Sequence, residues 1–409
     1  MNAPLSGIRV IEFCRGAAGA YCGMLLADMG ADVIMVDDIG NDTHSPLGPV
    51  AHAGLRRNKR SVALDLGTLE GRSLAHTLVR GAQVVIESLP PGTLVRAGLG
   101  YDALSAVQPH LVYVSITPFG QDGPRSATPP GVPALDALRG LLGATPGRLE
   151  PPRDLPVAEL SAGLYAAFSV SSALVAAQQH GRGVHIDVPM LGTTLAIASL
   201  RAGEEGQATA STGTVTAHPG DDTRFGGPSA PWPTFRAKDG YFGMDLDGQA
   251  HWRAICALVH RVDLLDDSRF GSARERARHQ SVLRDTLESV FQLDERAVWL
   301  ARLSAVGVPC APISTYSRVL SDPQVAHMGW VRPMVLPTGE RTHTIVSPVR
   351  INGRGPVTRR EPPAPGEHTG DILAELDAVA AVANLVDRSA ADREAVPPAL
   401  PSNEPRNKR

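Results

Sequence analysis

The residue pattern with the clearest chemical meaning is a turn of four small residues near the start of the chain. An apolar run at 8–13 leads into Gly16-Ala17-Ala18-Gly19, and a helix-like stretch and a second apolar run ending at Asp37 follow. This order is typical of a βαβ unit, in which a buried strand, a tight turn, a crossover helix and a parallel strand succeed one another. Small residues let the backbone approach a ligand, and the helix amino terminus behind them favours anions. The turn therefore predicts a site for a negatively charged ligand.

The elements that must position this turn alternate between helix-like and strand-like runs through the first half of the chain. Helical patterns near 69–79 and 104–107 lead to strand-like runs at 84–86 and 111–116. Such alternation predicts an α/β fold, with a parallel sheet that has helices on both faces and binds ligands at the turns after its strands. A long helix rich in Ala, Ser and Leu is predicted at about 158–179.

The composition argues against several classes of protein and partner. Hydrophobic residues make up 43% of the chain and charged residues 20%, and the formal net charge of −3 argues against a nucleic-acid partner. The four cysteines are widely spaced, so we expect no disulfide framework and no metal site, and a reducing cytoplasm fits best. We expect no signal peptide, since the amino terminus lacks a basic segment followed by an apolar one. No run is expected to approach the ~20 apolar residues of a membrane helix, so we expect no membrane partner.

A series of short segments between residues 4 and 378 gives the chain a family resemblance. Each segment is weak alone, but in this order and at these spacings they make the chain resemble the class III coenzyme A transferases. They are Pro4–Phe13 with Leu25–Ile34, Asn58-Lys59-Arg60-Ser61, Arg96-Ala97-Gly98-Leu99-Gly100-Tyr101, Pro109-His110-Leu111-Val112-Tyr113, Phe119-Gly120-Gln121-Asp122-Gly123-Pro124, Gly181-Arg182-Gly183, Gly307-Val308-Pro309-Cys310-Ala311-Pro312 and Gly366-Glu367-His368-Thr369.

The resemblance implies a catalytic carboxylate, usually Asp, at the start of the long central helix. The matching stretch is 156–165, and it aligns Glu159 with that position without a gap. A carboxylate can attack a thioester carbonyl to form a mixed anhydride and free CoA thiolate, which then forms an enzyme-bound thioester. Glu carries the same group as Asp on a stem one methylene longer. Two alternatives stay open: Glu159 only complements the helix dipole, or Asp154 is the nucleophile.

The resemblance also implies that an acyl-CoA binds at the turns after the strands as a substrate, with no tightly bound cofactor. Met35 and Asp38 stand where relatives commonly carry basic residues, so Arg15, Arg57 or Lys59 would have to replace those cations. The basic run at 56–60 has the alternative interpretation of a solvated turn. The residues implied in CoA binding are Ala17, Ala18, Leu64, Asp65, Leu66, Gly67, Ser88, Leu89, Pro90 and Arg96.

Two domains are predicted, because 409 residues exceed one ordinary core. We expect a large Rossmann-like α/β domain over 1–205, completed by the returning segment 335–385, and a smaller α+β domain over 225–330. A flexible linker is predicted at 203–230, and a disordered tail at 388–409, where Pro and charged residues dominate. The resemblance implies an interlocked homodimer, and a heteromer with a relative is the alternative.

The activity implied is transfer of CoA from an acyl-CoA to a carboxylic acid. One alternative is a non-catalytic or partner-dependent subunit, which Glu159 in place of Asp and the altered residues at 35, 38, 88 and 89 favour. The other is an acyl-CoA racemase or isomerase. The resemblance implies that such an enzyme carries a His before the catalytic helix. The matching stretch 130–136 contains no His, and its Asp136 either faces the active site or lies on a polar helix face.

Four remaining features have smaller predicted roles. His368 is expected to brace the start of a helix rather than to take part in chemistry. Trp232 and Phe235 either line an acyl pocket or belong to an aromatic core. The cysteines are expected to pack as small hydrophobic residues.

Overall fold

The computed structural model describes residues 3–38, 49–128, 156–197, 199, 233–355 and 357–378. The chain divides into two units, Met1–Ser211 with Trp330–Arg409, and Thr212–Gly329. Asp136, Asp154, Trp232, the expected linker and the expected tail lie outside the described residues. The exact domain boundaries and the interlocked dimer stay predictions.

In the first unit, strands and helices alternate along the chain. The elements are β1 (Arg9–Phe13), α1 (Ala17–Asp28), β2 (Asp32–Asp38), α2 (Pro49–Gly54), β3 (Arg60–Leu64), α3 (Leu69–Arg80), β4 (Val84–Glu87), α4 (Thr93–Arg96), α5 (Tyr101–Val107), β5 (Val112–Thr117), α6 (Val157–His180), β6 (His185–Pro189) and α7 (Met190–Ile197), followed after the second unit by β10 (Val331–Val335), β11 (Arg341–Ile345) and a helix at 369–378, α14.

The second unit combines a small antiparallel sheet with helices. Its elements are β7 (Thr234–Ala237), β8 (Gly240–Met244), α8 (Gln249–Leu258), a 3₁₀ turn (Val262–Leu265), α9 (Ala273–Arg278), α10 (Gln280–Phe291), α11 (Arg296–Ala305), β9 (Cys310–Pro312), α12 (Tyr316–Leu320) and α13 (Pro323–Met328). The three strands pair in the order β7-β8-β9. Phe235 is fully buried in this unit's core and meets Phe291 edge to face, with ring centroids 5.5 Å apart. The structure therefore favours the aromatic-core interpretation of Phe235.

Six parallel strands form the main sheet of the first unit, which confirms the predicted parallel α/β architecture. The strand order is β3-β2-β1-β4-β5-β6, and Ile11 of β1 stands opposite both Ile34 and Val85. The chain builds outward from β1 to β3 and then returns to place β4 on the other side of β1. Sheets of this kind bind ligands in the crevice at the carboxyl ends of the two strands where the direction reverses. That crevice lies between β1 and β4.

Apolar side chains cover both faces of the sheet, because successive residues of a strand point to opposite sides. Val10 of β1 packs with Ala18 of α1 and Ala162 of α6 on one face. Ile11 packs with Leu78 of α3 and Ile372 of α14 on the other face. The first unit therefore has a buried layer of side chains on each side of the sheet.

Helix α6 is more apolar than the sequence analysis expected. It has 24 residues and a mean hydropathy of 1.6 over its most apolar window, so by length and composition alone it could cross a membrane, and 44% of that window is buried. The expectation that no run approaches that size is therefore wrong. The reason is that α6 contacts α1, α7 and strands β5 and β6, and such a helix needs small apolar residues on more than one face.

The predicted role of His368 is confirmed by its contacts with β3. The backbone N–H of His368 donates to the Ser61 carbonyl at 2.9 Å, and the Ser61 N–H donates to His368 Nδ1 at 3.3 Å. This pair of hydrogen bonds fixes the turn before α14. It also brings the carboxyl-terminal segment of the unit against the edge of the sheet.

The basic run at 56–60 is not a solvated turn, and buried partners keep Arg57 and Lys59 from replacing the missing cations. Each charged side chain of the run is directed at a carboxylate on another element, a relationship that the local sequence does not reveal. The pairs are Arg56 with Asp37, Arg57 with Asp28, Lys59 with Glu12, and Arg60 with Asp32 and Glu375.

Lys59 and Glu12 form the most deeply buried of these ion pairs. Lys59 Nζ donates to Glu12 Oε2 at 2.7 Å and to the Ala20 carbonyl at 2.8 Å, and both side chains are buried beneath α1. Burial raises the pKa of Glu12 even though Lys59 opposes the shift. The pair therefore joins β1, α1 and the start of β3, and neither charge has access to water.

We predict that Lys59→Met lowers the free energy of unfolding by about 3–5 kcal/mol, because it leaves the Glu12 carboxylate buried without its partner. The double variant Glu12→Gln/Lys59→Met should recover part of this loss, since neither remaining side chain carries a charge. Urea denaturation followed by circular dichroism measures both effects. Lys238→Met, at an exposed position, is the control. A Lys59→Met protein as stable as the control would contradict a stabilising role for the pair.

Candidate active site

The turn after β1 has the features of an anion site that the sequence predicted. Helix α1 begins at Ala17, and no side chain caps its first N–H groups. The preceding residue, Gly16, has φ of +84°, a conformation that favours glycine. Ala17 and Ala18 are buried and contribute only methyl groups, so the backbone N–H groups of this turn are the available donors.

Hydrogen bonds join the turn after β4 directly to the turn after β1. Ser88 N donates to the Phe13 carbonyl at 3.2 Å. The Ser88 hydroxyl donates to the Arg15 carbonyl at 3.0 Å and accepts from the Arg15 N–H at 3.1 Å. A Cβ at Gly19 would lie 2.2 Å from Cys14 Sγ, so only glycine allows α1 to start this close to the end of β1. The structure thus brings Ala17, Ala18 and Ser88 together at the crevice.

Arg96 supplies a cation beside the turn after β4. Gly92, with φ of +79°, reverses the chain before α4, and Arg96 Nη2 donates to Thr93 Oγ1 at 3.2 Å. A Cβ at Gly92 would lie 3.1 Å from Arg96 Nη1, so the guanidinium folds back over the turn. Its side chain is exposed, and no carboxylate within the described ranges pairs with it. Arg96 is therefore available to an anionic ligand.

The segment 64–67 reaches the same edge of the sheet but is separated from the crevice by β2. Leu64 is buried in the core, and Leu66 packs against that core. Asp65 Oδ1 accepts from the Gly67 N–H at 2.8 Å, which closes the turn before α3. Leu89, on the turn after β4, is also buried. The side chains of these leucines belong to the core, so only backbone groups at their positions are available to a ligand.

Glu159 is the third residue of α6 and the acidic residue of its first turn. Its side chain is half-buried, and across the described part of the chain it takes part in no hydrogen bond or ion pair. No side chain caps α6 at Pro156. A carboxylate in this position is stabilised by the positive end of the helix dipole.

A contact one turn further along α6 fixes where Glu159 lies. A Cβ at Gly163 would lie 2.6 Å from the Ala18 carbonyl oxygen and 3.0 Å from Tyr21 Cδ1, so the two helix backbones touch there. Glu159 and Gly163 are four residues apart and share one face of α6, separated by about 6 Å of helix rise. Glu159 therefore lies on the face of α6 that meets the start of α1.

The sequence analysis missed a polar cluster on one face of β4, β5 and β6. Glu87 Oε2 accepts from the Leu89 N–H at 3.0 Å, and the Ser115 hydroxyl lies 3.0 Å from His185 Nε2. Burial raises the pKa of Glu87 and lowers the pKa of His185. These side chains line a cavity of about 40 Å³, together with Gln121, whose buried Nε2 has no partner among the described residues.

The strand register is what would have revealed this cluster. Glu87, Ser115 and Asp187 stand side by side on three neighbouring strands, as do Tyr113 and His185 on two. Within each strand the polar residues are separated by apolar ones and show no grouping. Only the pairing of the strands brings the polar positions together.

The four cysteines are free thiols. Cys22 and Cys256 are fully buried, as predicted for small hydrophobic residues, and Cys14 and Cys310 are half-buried. Burial raises the pKa of Cys256 to about 12 and also raises that of Cys14. Over the residues that the structure describes, no group of three or more His, Cys, Asp or Glu side chains is arranged to hold a metal ion.

Comparison with known proteins identifies relatives that share this architecture over nearly the whole chain. Succinyl-CoA:glutarate CoA-transferase of Homo sapiens is 30% identical over 385 residues, which cover 91% of this chain and 86% of that protein. Succinate–glutarate CoA-transferase of Agrobacterium fabrum is 30% identical, with coverage of 92% and 96%. Acetyl-CoA:oxalate CoA-transferase of Acetobacter aceti is 28% identical, with coverage of 86% and 90%.

A solved structure and a family model agree with these relatives. The structure of a CaiB/BaiF family protein from Brucella suis matches with a TM-score of 0.79 and 30% identity, covering 92% of this chain and 100% of that one. The model described as CoA-transferase family III matches residues 5–369. The chain therefore belongs to CoA-transferase family III, a family of enzymes whose relatives named above transfer CoA between acyl-CoA thioesters and carboxylic acids.

Proposed function

We propose that this protein transfers CoA from an acyl-CoA to a free carboxylic acid through a covalent intermediate on Glu159. The observation that carries the proposal is the contact between Gly163 and the Ala18 carbonyl. Glu159, the only acidic residue of the first turn of α6, precedes Gly163 by four residues on the same helix face, and α1 starts without a side-chain cap one residue before Ala18. An acyl-CoA whose phosphates bind at the start of α1 would then carry its thioester past a carboxylate as it enters the crevice.

The proposed reaction begins when a Glu159 carboxylate oxygen attacks the thioester carbonyl carbon. The C–S bond breaks, CoA leaves as the thiolate, and a mixed anhydride joins Glu159 to the acyl group. The thiolate then attacks the glutamyl carbonyl and releases the donor as its carboxylate, which leaves a glutamyl-CoA thioester. The acceptor carboxylate attacks this thioester to form a second anhydride, and the thiolate attacks the acceptor's carbonyl. Glu159 is regenerated as the new acyl-CoA forms.

CoA binding is assigned to the turns after β1, β3 and β4. The uncapped N–H groups of α1 suit the pyrophosphate, because a helix amino terminus presents both donors and a positive dipole end to an anion. Arg96 suits a second phosphate contact, since its guanidinium is exposed and unpaired with any carboxylate of the described chain. Arg57 and Lys59 are excluded from this role by their buried carboxylate partners. Dicarboxylates are the first acceptors to test, because the named relatives act on glutarate and oxalate.

We predict that Glu159→Ala and Glu159→Gln lower kcat by at least ~1000-fold, because both variants lose the nucleophile. Glu159→Asp should retain more activity than either, since it keeps the carboxylate, with a loss of about 100-fold if the shorter stem misplaces the oxygen by 1 Å. Steady-state kinetics with succinyl-CoA and a panel of dicarboxylic acids measures these effects.

Asp285→Asn is the control for the Glu159 variants. Asp285 is an exposed carboxylate on α10 of the second unit. Full activity of Glu159→Ala would exclude Glu159 as the nucleophile. A pure wild-type chain that binds CoA but turns over only with a related partner would favour the partner-dependent subunit. Deuterium exchange at the α-carbon without CoA transfer would favour the isomerase.

We predict that Arg96→Ala raises the KM for acyl-CoA by about 10-fold and leaves kcat within about threefold. A charge-assisted hydrogen bond to phosphate contributes on the order of 1.5 kcal/mol to binding in both the ground state and the transition state. Arg80→Ala is the control, because Arg80 is an exposed arginine at the end of α3, which precedes the amino-terminal edge of β4. Equal KM values for the two variants would remove Arg96 from the CoA site.

We also propose that a second copy of the chain covers an exposed apolar face of α6. Leu164, Phe168 and Val175 on this helix are 52%, 69% and 56% exposed. They repeat at helical spacing, and Leu195 and Ile197 of the neighbouring α7 are exposed as well. Contiguous apolar surface of this kind marks protein–protein contacts. Since α6 also carries Glu159, dimer formation would hold the catalytic helix in place.

We predict that the wild-type protein has about twice the protomer mass in light scattering and that Phe168→Glu shifts it toward the protomer mass. The substitution places a charge in the middle of the proposed contact, where it could not be solvated. Leu293→Glu, at an exposed leucine of the second unit, should leave the mass unchanged. A wild-type protein that is monomeric at micromolar concentration, or a Phe168→Glu variant that stays dimeric, would contradict this assignment.

A further inference from the structure

A hydrogen bond links the buried carboxylate of Glu87 to the turn that is predicted to bind CoA. Glu87 is the last residue of β4, after Val84, Val85 and Ile86, and it is 6% exposed. Its Oε2 accepts the Leu89 N–H at 3.0 Å, so the carboxylate fixes the peptide at the centre of the turn 88–90. A carboxylate in such a place is costly unless hydrogen bonds compensate for the lost water.

Two polar side chains on the neighbouring strands stand next to Glu87. Ser115 is opposite Glu87 in the register of β4 and β5, and its hydroxyl lies 3.0 Å from His185 Nε2. All three side chains line the same cavity, together with Gln121. Ser115 and His185 therefore occupy the space beside the Glu87 carboxylate.

Aromatic contacts connect the same polar cluster to the segment that follows Arg96. The ring of His185 stacks on Tyr101, with centroids 5.2 Å apart and planes 22° apart, and meets Tyr113 edge to face at 5.3 Å. The Tyr113 hydroxyl donates to the Leu99 carbonyl at 3.2 Å. The cluster thus contacts the chain on both sides of α4, before it at Leu89 and after it at Leu99 and Tyr101.

We propose that Glu87 is a positioning residue for CoA binding, which orients the turn Ser88–Pro90 through the Leu89 N–H, and that Ser115 and His185 hold Glu87 in that orientation. This inference rests on the proposed function, because it gives the turn its role in binding CoA. The turn is then fixed from two sides. The Ser88 hydroxyl joins it to Arg15 on the crevice side, and Glu87 holds it from the core side.

The geometry separates this role from a catalytic one. The Glu87 carboxylate belongs to the face of the sheet that carries Tyr113 and Ile11, whereas α6 with Glu159 packs on the opposite face with Val10. Glu87 therefore acts through the backbone of the turn. Its loss should weaken the binding of every CoA thioester to a similar degree, whatever the acyl group, and should leave the chemical step nearly unchanged.

The test compares Glu87→Ala, Glu87→Gln and Ser115→Ala by calorimetric titration with CoA and by steady-state kinetics. We expect Glu87→Ala to raise the Kd for CoA and the KM for acyl-CoA by about 10-fold and to leave kcat within about threefold. Glu87→Gln should stay within about threefold of the wild type, because its amide oxygen can still accept from the Leu89 N–H. Ser115→Ala should fall between the two. Asp285→Asn is the surface control.

The outcomes separate this inference from the proposed function. A folded Glu87→Ala protein that binds CoA as the wild type does would overturn the inference, and so would a loss of kcat at unchanged KM. If Glu87→Ala does not fold, Ser115→Ala decides, and a wild-type Kd in that variant overturns the inference. If the wild-type protein itself does not bind CoA, the proposed CoA site fails and the inference fails with it.

Discussion

The backbone contact between Gly163 of α6 and the Ala18 carbonyl of α1 is the constraint on which the candidate active site depends. A Cβ at position 163 would come within 2.6 Å of that oxygen, so the two helices can cross this closely only because the residue is glycine. Their crossing brings two helix beginnings to one corner, one with open N–H groups and the other with Glu159. Both ends attract negative charge, which suits a phosphorylated thioester and the carboxylate that would attack it.

Buried ion pairs hold the elements that make this crossing possible. Lys59 reaches from the start of β3 to Glu12 on β1 and to the Ala20 carbonyl of α1, and Arg57 reaches Asp28 at the end of the same helix. Both cations are therefore structural, and α1 is fixed at its first and last turns. Such pairs lose much of their effect when one partner is removed, because the remaining charge stays in an apolar environment. In the proposed site, backbone N–H groups and Arg96 would meet the ligand's charge.

The sequence predicted the features that depend on local pattern. Alternating apolar and helical runs indicated the parallel sheet, and the small-residue turn indicated the close approach of backbone at Ala17 and Ala18. The sequence could not predict that Arg57 and Lys59 form buried ion pairs. Their partners, Asp28 and Glu12, are distant in the chain and meet them only when the sheet forms. The Glu87, Ser115 and His185 cluster was missed for the same reason, since strand register alone brings those positions together.

The covalent step at Glu159 is the central claim, and trapping with hydroxylamine tests it most directly. Enzyme incubated with succinyl-CoA and hydroxylamine, then digested and analysed by mass spectrometry, should carry a hydroxamate on Glu159, because hydroxylamine attacks the activated glutamyl carbonyl and displaces CoA or the acyl carboxylate. The modification should require the thioester and should accompany loss of activity. An unmodified Glu159 in enzyme that turns over, or a hydroxamate on a different carboxylate, would contradict the account.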